Sequence, residues 1–548
     1  MNIISSIILV VAALSSFHFS CALNPIEIKG YKFFDSVTGE PFLIRGIDYY
    51  PRPNAGIYNF NSVDFYTEDF RHVWERDLQY LQELGVNAIR LYSVDPDQNH
   101  DAFMCTMDRA GIYVIVALAT DCPTCAVTRD EAPLCYPNQL KMRGQAVILE
   151  FAKYSNTLAF SAGNEVNHFA PSGHPEWNGP CQKKFLRDMR EYIDSCPSLR
   201  NVPIGLVSAD SDRDENAIYY NCQGDSDDQY ENAEWFGLNS YLFCNHNVTG
   251  YLEAAGFVAL QKSFHGYNYS IPVVLTEFGC LSETFETIDG YEAQRDFRQA
   301  QWLLTEPTLL DQFAGGFAFE YSIEYENAKD ASPYPFKTFG AQNYGVGYFE
   351  PEDCDEDYIY CTYKPLPAFE HLQTAYKQNL TSSNSTNRNS FDIPESRQGR
   401  AVCPEQFKPL SYYSWKSDKI QNLACPVRDE DSKLSCPADL DELRGRYGQR
   451  SKYHHTSHFP YGGSIMLASI SIVALGVAYC MMQQRVESEM SIVRMSISRG
   501  FYTLKPDNDG DTSDESTGLL SMQDLAGAEG CSKTPYSAIE SESSFEDP

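Results

Sequence analysis

Residues 158–169 read LAFSAGNEVNHF, and the stretch changes character halfway along. Leu158 to Ala162 is apolar and strand-like, then Gly163 and Asn164 break the run and deliver Glu165 at the break. An uninterrupted apolar run suits a strand buried on both faces, the situation in a parallel sheet. Seven more runs share this pattern. They are FLIRGIDYY from Phe42, VNAIRLYSV from Val86, IYVIVAL from Ile112, VPIGLVSA from Val202, AEWFGLNSY from Ala233, PVVLTEFG from Pro272 and FAGGFAFEYS from Phe313. Amphipathic helical stretches such as EDFRHVWERDLQYLQELG, from Glu68, separate them. Eight such units over roughly 280 residues predict an α/β fold, a (β/α)8 TIM barrel, whose usual size is about 250 residues. An open doubly wound sheet is the alternative, but no glycine-rich phosphate loop follows the first strand to favour it.

In a barrel of this kind the chemistry gathers at the C-terminal ends of the strands. Glu165 closes the fourth strand, and Glu277, in VVLTEFGC, closes the seventh. Both then point into one mouth. Two facing carboxyl groups are what glycoside cleavage needs: one protonates the leaving oxygen while the other attacks or activates water. Arg45, Asp48 and Tyr49 belong to the end of the first strand, Arg90 and Tyr92 to the second, and Tyr241 to the sixth. Arg and Tyr beside a carboxylate can hold its ionisation state and orient it. Aromatic rings also offer flat apolar faces to pyranose rings. Such chemistry calls for no metal and no organic cofactor.

The chain opens with an apolar run from Ile3 to Leu14 that ends Ser20-Cys21-Ala22, the pattern of a secretory signal peptide over 1–22. A second charge-free run, GGSIMLASISIVALGVAYCMM, covers Gly462 to Met482. About 20 apolar residues are what a helix needs to cross a bilayer. Basic residues flank both ends of this span, so orientation rests on the signal peptide, which sends the N-terminal part across first. A glycolipid-anchor signal would place its apolar run at the C-terminus, whereas residues 483–548 follow this one. The expectation is a type I membrane protein of the plasma membrane or the secretory and endocytic membranes, with its large domain extracellular or lumenal. Fourteen of the 17 cysteines fall between the leader and the span, an even number that implies disulfides of undetermined connectivity. Sequons at Asn247, Asn268, Asn379 and Asn384 agree with a glycosylated exterior. A net charge of −33 argues against nucleic acid or an anionic membrane surface as partner.

The expected organisation is a leader (1–22), a catalytic domain (23–378) and a Cys-containing linker, stalk or small module (379–461). A transmembrane helix (462–482) and an acidic, disordered cytoplasmic tail (483–548) follow. Within the tail, Glu515 to Leu520 matches an acidic dileucine signal and Tyr536 to Ile539 a tyrosine-based one, so sorting adaptors are candidate partners.

Five motifs in order, RGIDYYP, LGVNAIRLYSVDPD, NTLAFSAGNEV, GLNSYLFC and LTEFGC, resemble glycoside hydrolase family 72 from about Ile28 to Tyr376. This family comprises the fungal-type β-1,3-glucanosyltransferases that elongate cell-wall glucan. The resemblance implies Glu165 as acid/base, Glu277 as nucleophile and Asn164 as the neighbour binding the sugar 2-hydroxyl. It further implies Tyr92, Tyr241 and Tyr321 as residues orienting carboxylates and substrate; Asp48 and Arg90 join the substrate-binding set from their places at the strand ends. A disulfide between Cys244 and Cys280 and a retaining mechanism come with it, acting on β-1,3-glucan donor and acceptor. The alternatives are a β-1,3-glucan hydrolase using the same pair and a non-catalytic glucan-binding membrane receptor. Three departures from the family pattern stand out. Ala117 occupies the third-strand position where the family usually has Asp, with Asp121 nearby; NAKDASPYPFKTFGAQ is inserted after Tyr321; and residues 401–460 hold too few cysteines for the family's Cys-rich carbohydrate-binding module.

Overall fold

The computed structural model describes residues 22–242, 248–279, 295–324, 334–335, 344–378 and 386–427, with a few positions between 436 and 443. Each of the eight apolar runs forms one strand. These are β1 (Ile44–Asp48), β2 (Ala88–Leu91), β3 (Tyr113–Ala117), β4 (Thr157–Asn164), β5 (Ile204–Ala209), β6 (Phe236–Asn239), β7 (Val273–Phe278) and β8 (Phe313–Ala318). All neighbours pair in parallel and in chain order, and β8 pairs back onto β1, so the sheet closes into a barrel. Its interior is packed with side chains from alternate strands, as a barrel of this size requires. Ile44, Ala88, Ile115, Ala159, Val207, Val274 and Phe317 contribute to that core. Phe317 fills so much of it that a Cβ on Gly46 would lie 2.2 Å from its ring, and glycine is what leaves the room.

Helices cover the outside. Helix α1 (Arg71–Leu84) buries Val73, Trp74, Leu81 and Leu84 on one face. It stops at Gly85, whose positive φ of 79° lets its N–H reach back to the Gln82 carbonyl. Helices α2 (Asp101–Arg109), α3 (Asn138–Phe151) and α4 (Gly179–Asp194) follow strands β2, β3 and β4. Next come α5 (Arg213–Asn221), α6 (Ala255–Tyr267), α7 (Arg298–Thr305), α8 (Pro307–Gln312) and α9 (Pro367–Tyr376). A small antiparallel sheet, Ile26–Lys29, Lys32–Asp35 and Pro41–Phe42, precedes β1 and contributes Ile26 and Phe33 to the barrel core.

The described part of the segment after residue 379 lies along the barrel. It contains four short 3₁₀ turns between Arg388 and Lys419. Disulfides Cys222–Cys403, Cys196–Cys425 and Cys105–Cys436 tie it down, across separations of 181, 229 and 331 residues. Closing loops this long restricts the unfolded chain, worth on the order of 2–5 kcal/mol each. Polar contacts add to this: Lys141 Nζ donates to the Ser417 carbonyl at 3.1 Å, and Gln145 Nε2 donates to Asn422 Oδ1 at 2.9 Å. Cys122–Cys125, Cys135–Cys181 and Cys354–Cys361 complete the described disulfides. Among the described residues no helix is long and apolar enough to cross a membrane. The expected leader up to residue 21, the span Gly462–Met482 and the tail all lie outside them, as do Cys244, Cys280, Asn247, Asn379 and Asn384. Asn268 is described and stands exposed at the end of α6.

Candidate active site

Strand β4 runs to Asn164, and the chain then turns sharply: Glu165 has φ 50° and ψ 33°, in the left-handed region. Its N–H donates to the Val207 carbonyl on β5 at 2.9 Å, and its own carbonyl opens a 3₁₀ turn by accepting from His168. This corner answers why an apolar strand ends on Asn-Glu, because it stops the buried run and leaves the carboxyl at the rim. Non-glycine residues held in this region carry a local cost that packing must offset. On β7, Glu277 is an ordinary strand residue paired with Asn239 of β6.

A continuous hydrogen-bonded chain joins the two carboxyls. Asn239 Nδ2 donates to Glu165 Oε1 at 2.9 Å and to Asn164 Oδ1 at 3.1 Å. Arg90 Nη2 donates to the same Asn164 oxygen at 2.7 Å, and its Nη1 lies 3.0 Å from Glu277 Oε1. Tyr92 donates to Glu277 Oε1 at 2.8 Å, and Tyr241 to Glu277 Oε2 at 2.6 Å. Arg90 also lies over the Tyr92 ring, 4.3 Å from its centroid. Thr276 donates to Asn239 Oδ1 at 2.7 Å, fixing which end of that amide faces the carboxyls.

The electrostatics follow from these contacts. Burial raises the Glu277 carboxyl above its usual range; Arg90 opposes this, the Glu165 charge adds to it, and the Tyr241 hydrogen bond opposes it. Tyr241 and Tyr92 are pushed well above the ordinary phenol range, first by burial, so both stay protonated donors. His168 Nδ1 lies 3.5 Å from Glu165 Oε2, and that contact holds the imidazole above its ordinary value.

The structure thus brings Glu165, Glu277, Asn164, Arg90, Tyr92 and Tyr241 together at one end of the barrel. Three of the residues expected in the substrate-binding set are buried. Asp48 and Arg90, register partners on β1 and β2, are 0% and 2% exposed and lie behind Glu277. Tyr321 is fully buried, stacked on Tyr363 with ring centroids 4.3 Å apart. Its backbone N–H donates to the Asp48 carbonyl. Tyr49 donates to Asp77 Oδ2 at 2.9 Å. Ala117 ends β3 half-buried, Asp121 is exposed on the following loop, and most of the insert after Tyr321 lies outside the described residues.

Sequence reasoning missed Asn239 and His168, although both stand inside motifs it singled out. It also missed Tyr344, whose ring packs edge-on against Tyr241 with centroids 5.1 Å apart. Among the described residues no group of three or more His, Cys, Asp or Glu side chains could hold a metal ion.

A closed parallel barrel with two carboxyls linked across its mouth defines the class: a glycosidase-type barrel enzyme. The sequence profile of glycoside hydrolase family 72, described as glucanosyltransferase, matches residues 15–329, and the chain belongs to this family. The 1,3-beta-glucanosyltransferase PGA4 of Candida albicans is 32% identical over 308 residues, covering 56% of this chain and 61% of that protein. The 1,3-beta-glucanosyltransferase gel1 of Aspergillus fumigatus is 30% identical over 414 residues, 75% of each chain. This chain therefore spans about three-fifths of the first relative and three-quarters of the second. Among solved structures, Saccharomyces cerevisiae Gas2p in complex with laminaripentaose superposes with a TM-score of 0.52 at 26% identity. That match covers 70% of this chain and 74% of the other.

Proposed function

We propose that this chain is a retaining β-1,3-glucanosyltransferase that cleaves a β-1,3-glucan donor and rejoins the fragment to a second glucan chain. The observation that carries this reading is the hydrogen-bonded chain from Glu165 through Asn239, Asn164 and Arg90 to Glu277. Family membership and the oligosaccharide named with Gas2p support the choice of glucan.

In this mechanism Glu277 attacks the anomeric carbon while Glu165 gives a proton to the departing oxygen, leaving a glycosyl ester on Glu277. Glu165 then takes the proton of an incoming hydroxyl, which displaces Glu277 from the sugar. Transfer outruns hydrolysis when a bound acceptor holds its hydroxyl in place of water. Tyr92 and Tyr241 position the nucleophile, and Asn164 binds the sugar 2-hydroxyl. A Cys244–Cys280 disulfide belongs to the same proposal, as do glycosylation at the four sequons and a type I membrane anchor at 462–482. The anchor places the barrel on the outer or lumenal side of a cell-surface or secretory membrane.

The test is to incubate the purified chain with reduced laminari-oligosaccharides and size the products. Transfer predicts products longer than the substrate. Shortened products alone would mark a hydrolase, and binding without any processing by the parent protein would mark a receptor. Unaltered processing by both Glu165→Gln and Glu277→Gln would remove the catalytic assignment.

A further inference from the structure

Behind Glu277 the barrel holds a second carboxyl whose bonding is incomplete. Arg90 Nη1 lies 3.0 Å from Asp48 Oδ1 and 3.0 Å from Glu277 Oε1, with the Tyr92 hydroxyl at 2.8 Å and the Thr276 carbonyl at 3.2 Å. One nitrogen with two protons faces four acceptors. The Tyr92 hydroxyl lies near both carboxyls and has one proton for the two, with Glu277 Oε1 2.8 Å away. Glu277 therefore receives Arg90, Tyr92 and Tyr241, whereas Asp48 shares Arg90 and Tyr92 with it and has no donor of its own. Asp48 Oδ2 is buried and, among the described residues, has no hydrogen-bond partner.

An ionised carboxylate closed off from water with one bare oxygen is a costly arrangement. Two ionised carboxylates on one guanidinium would also leave this closed cluster with a surplus negative charge. A single proton on the pair removes the surplus charge and lowers the cost of the bare oxygen, which is then neutral, and the hydrogen bonding decides where it goes. We propose that Asp48 is a positioning residue that carries this proton in the resting enzyme, so that Glu277, with three donors, remains the ionised partner of Arg90. The role given to Glu277 rests on the proposed function; the location of the proton rests on the geometry alone.

The groups facing Asp48 agree with this placement. Arg90 and Tyr92 approach from β2 and Glu277 from β7; Glu320 follows β8, Tyr66 lies in the loop after β1, and Tyr376 comes from α9. Arg90 is the only cation among them, and Glu320 is itself buried and raised well above the carboxylate range, first by burial. The Asp48 carboxyl is pushed the same way, first by burial and then by the Glu277 charge, against the pull of Arg90 and the Tyr92 hydrogen bond.

Asn in place of Asp48 reproduces the neutral acid in shape and charge. The expected result for Asp48→Asn is an acidic limb of the kcat/KM pH profile on laminari-oligosaccharides that stays where the parent has it. Were Asp48 ionised, its loss would take a negative charge from beside Glu277 and move the acidic limb to lower pH; that displacement overturns the proposal. Infrared difference spectra of the full chain, parent minus Asp48→Asn at neutral pH, should show the carbonyl stretch of a protonated carboxylic acid. Carboxylate bands in its place overturn the proposal too. In a Glu277→Gln background Arg90 is left to Asp48, and the same subtraction should now give carboxylate bands, whereas a persisting acid band counts against the sharing of Arg90. The spectra need no turnover. Activity retained by Glu277→Gln therefore strikes at the proposed nucleophile, and the spectra strike at the proton on Asp48.

Discussion

Glu277 and Glu165 end two strands of one barrel, and the protein surrounds them in opposite ways. The Glu277 side chain is 8% exposed and held by one guanidinium and two phenols; the Glu165 side chain is 28% exposed and held by one amide, with an imidazole alongside. The first setting suits a group that must stay charged and aimed. The second suits one that must exchange protons with whatever enters the mouth. The difference supports the proposed roles within the pair where residue type, being the same, says nothing.

The largest test of that contrast removes each carboxyl in turn. On laminari-oligosaccharides Glu165→Gln should lose roughly 10²–10⁴-fold in kcat, the usual worth of a general acid/base. A laminaribiosyl donor whose leaving group needs no proton should restore the first step in Glu165→Gln, seen as a burst of leaving group, and should not do so in Glu277→Gln. Equal behaviour of the two variants on that donor breaks the contrast.

A smaller effect belongs to the donors around Glu277. Tyr241→Phe deletes the 2.6 Å hydrogen bond to Oε2 and keeps the ring. A hydrogen bond to a charged group is worth roughly 1.5–3 kcal/mol, so kcat/KM should fall about ten- to a hundredfold. Steady-state kinetics with an unchanged value would leave Tyr241 as wall only.

The smallest effect sits on the open side. The contact with Glu165 keeps His168 charged above its ordinary range, so the imidazolium persists as pH rises through the usual histidine value and is lost only above it. In His168→Asn the part of the kcat/KM pH profile that follows the imidazole above its ordinary range should therefore disappear, and the difference from the parent should shrink in high salt. A pH–rate profile identical to the parent's removes His168 from the comparison.

The sequence carried much of the barrel because its strands are buried on both faces, which leaves unbroken apolar runs, and because helices such as α1 repeat their apolar residues at helical spacing. Glu165 and Glu277 were legible for a related reason: a charge ending an apolar run marks the strand end where this fold does its chemistry. Depth was not legible. Asp48, Arg90 and Tyr321 stand at or just beyond strand ends like the residues that line the mouth, and spacing along a strand does not say which side chain lies one layer below it. Asn239 escaped because a neutral amide inside an apolar strand gives no pattern until its neighbours in space are known. The strap over 386–427 escaped because it has little periodic structure, and cysteine spacing does not encode which helix each sulfur will meet.

The left-handed turn at Glu165 has a consequence for how this protein tolerates change. Asparagine and glycine occupy that backbone region readily, while most other residues give up on the order of 1 kcal/mol there. Glu165→Asn should thus melt slightly above the parent in thermal unfolding while transferring no sugar. Folding and chemistry ask for different residues at this corner, and the glutamate found there places it among the sites where a protein is less stable than its fold allows.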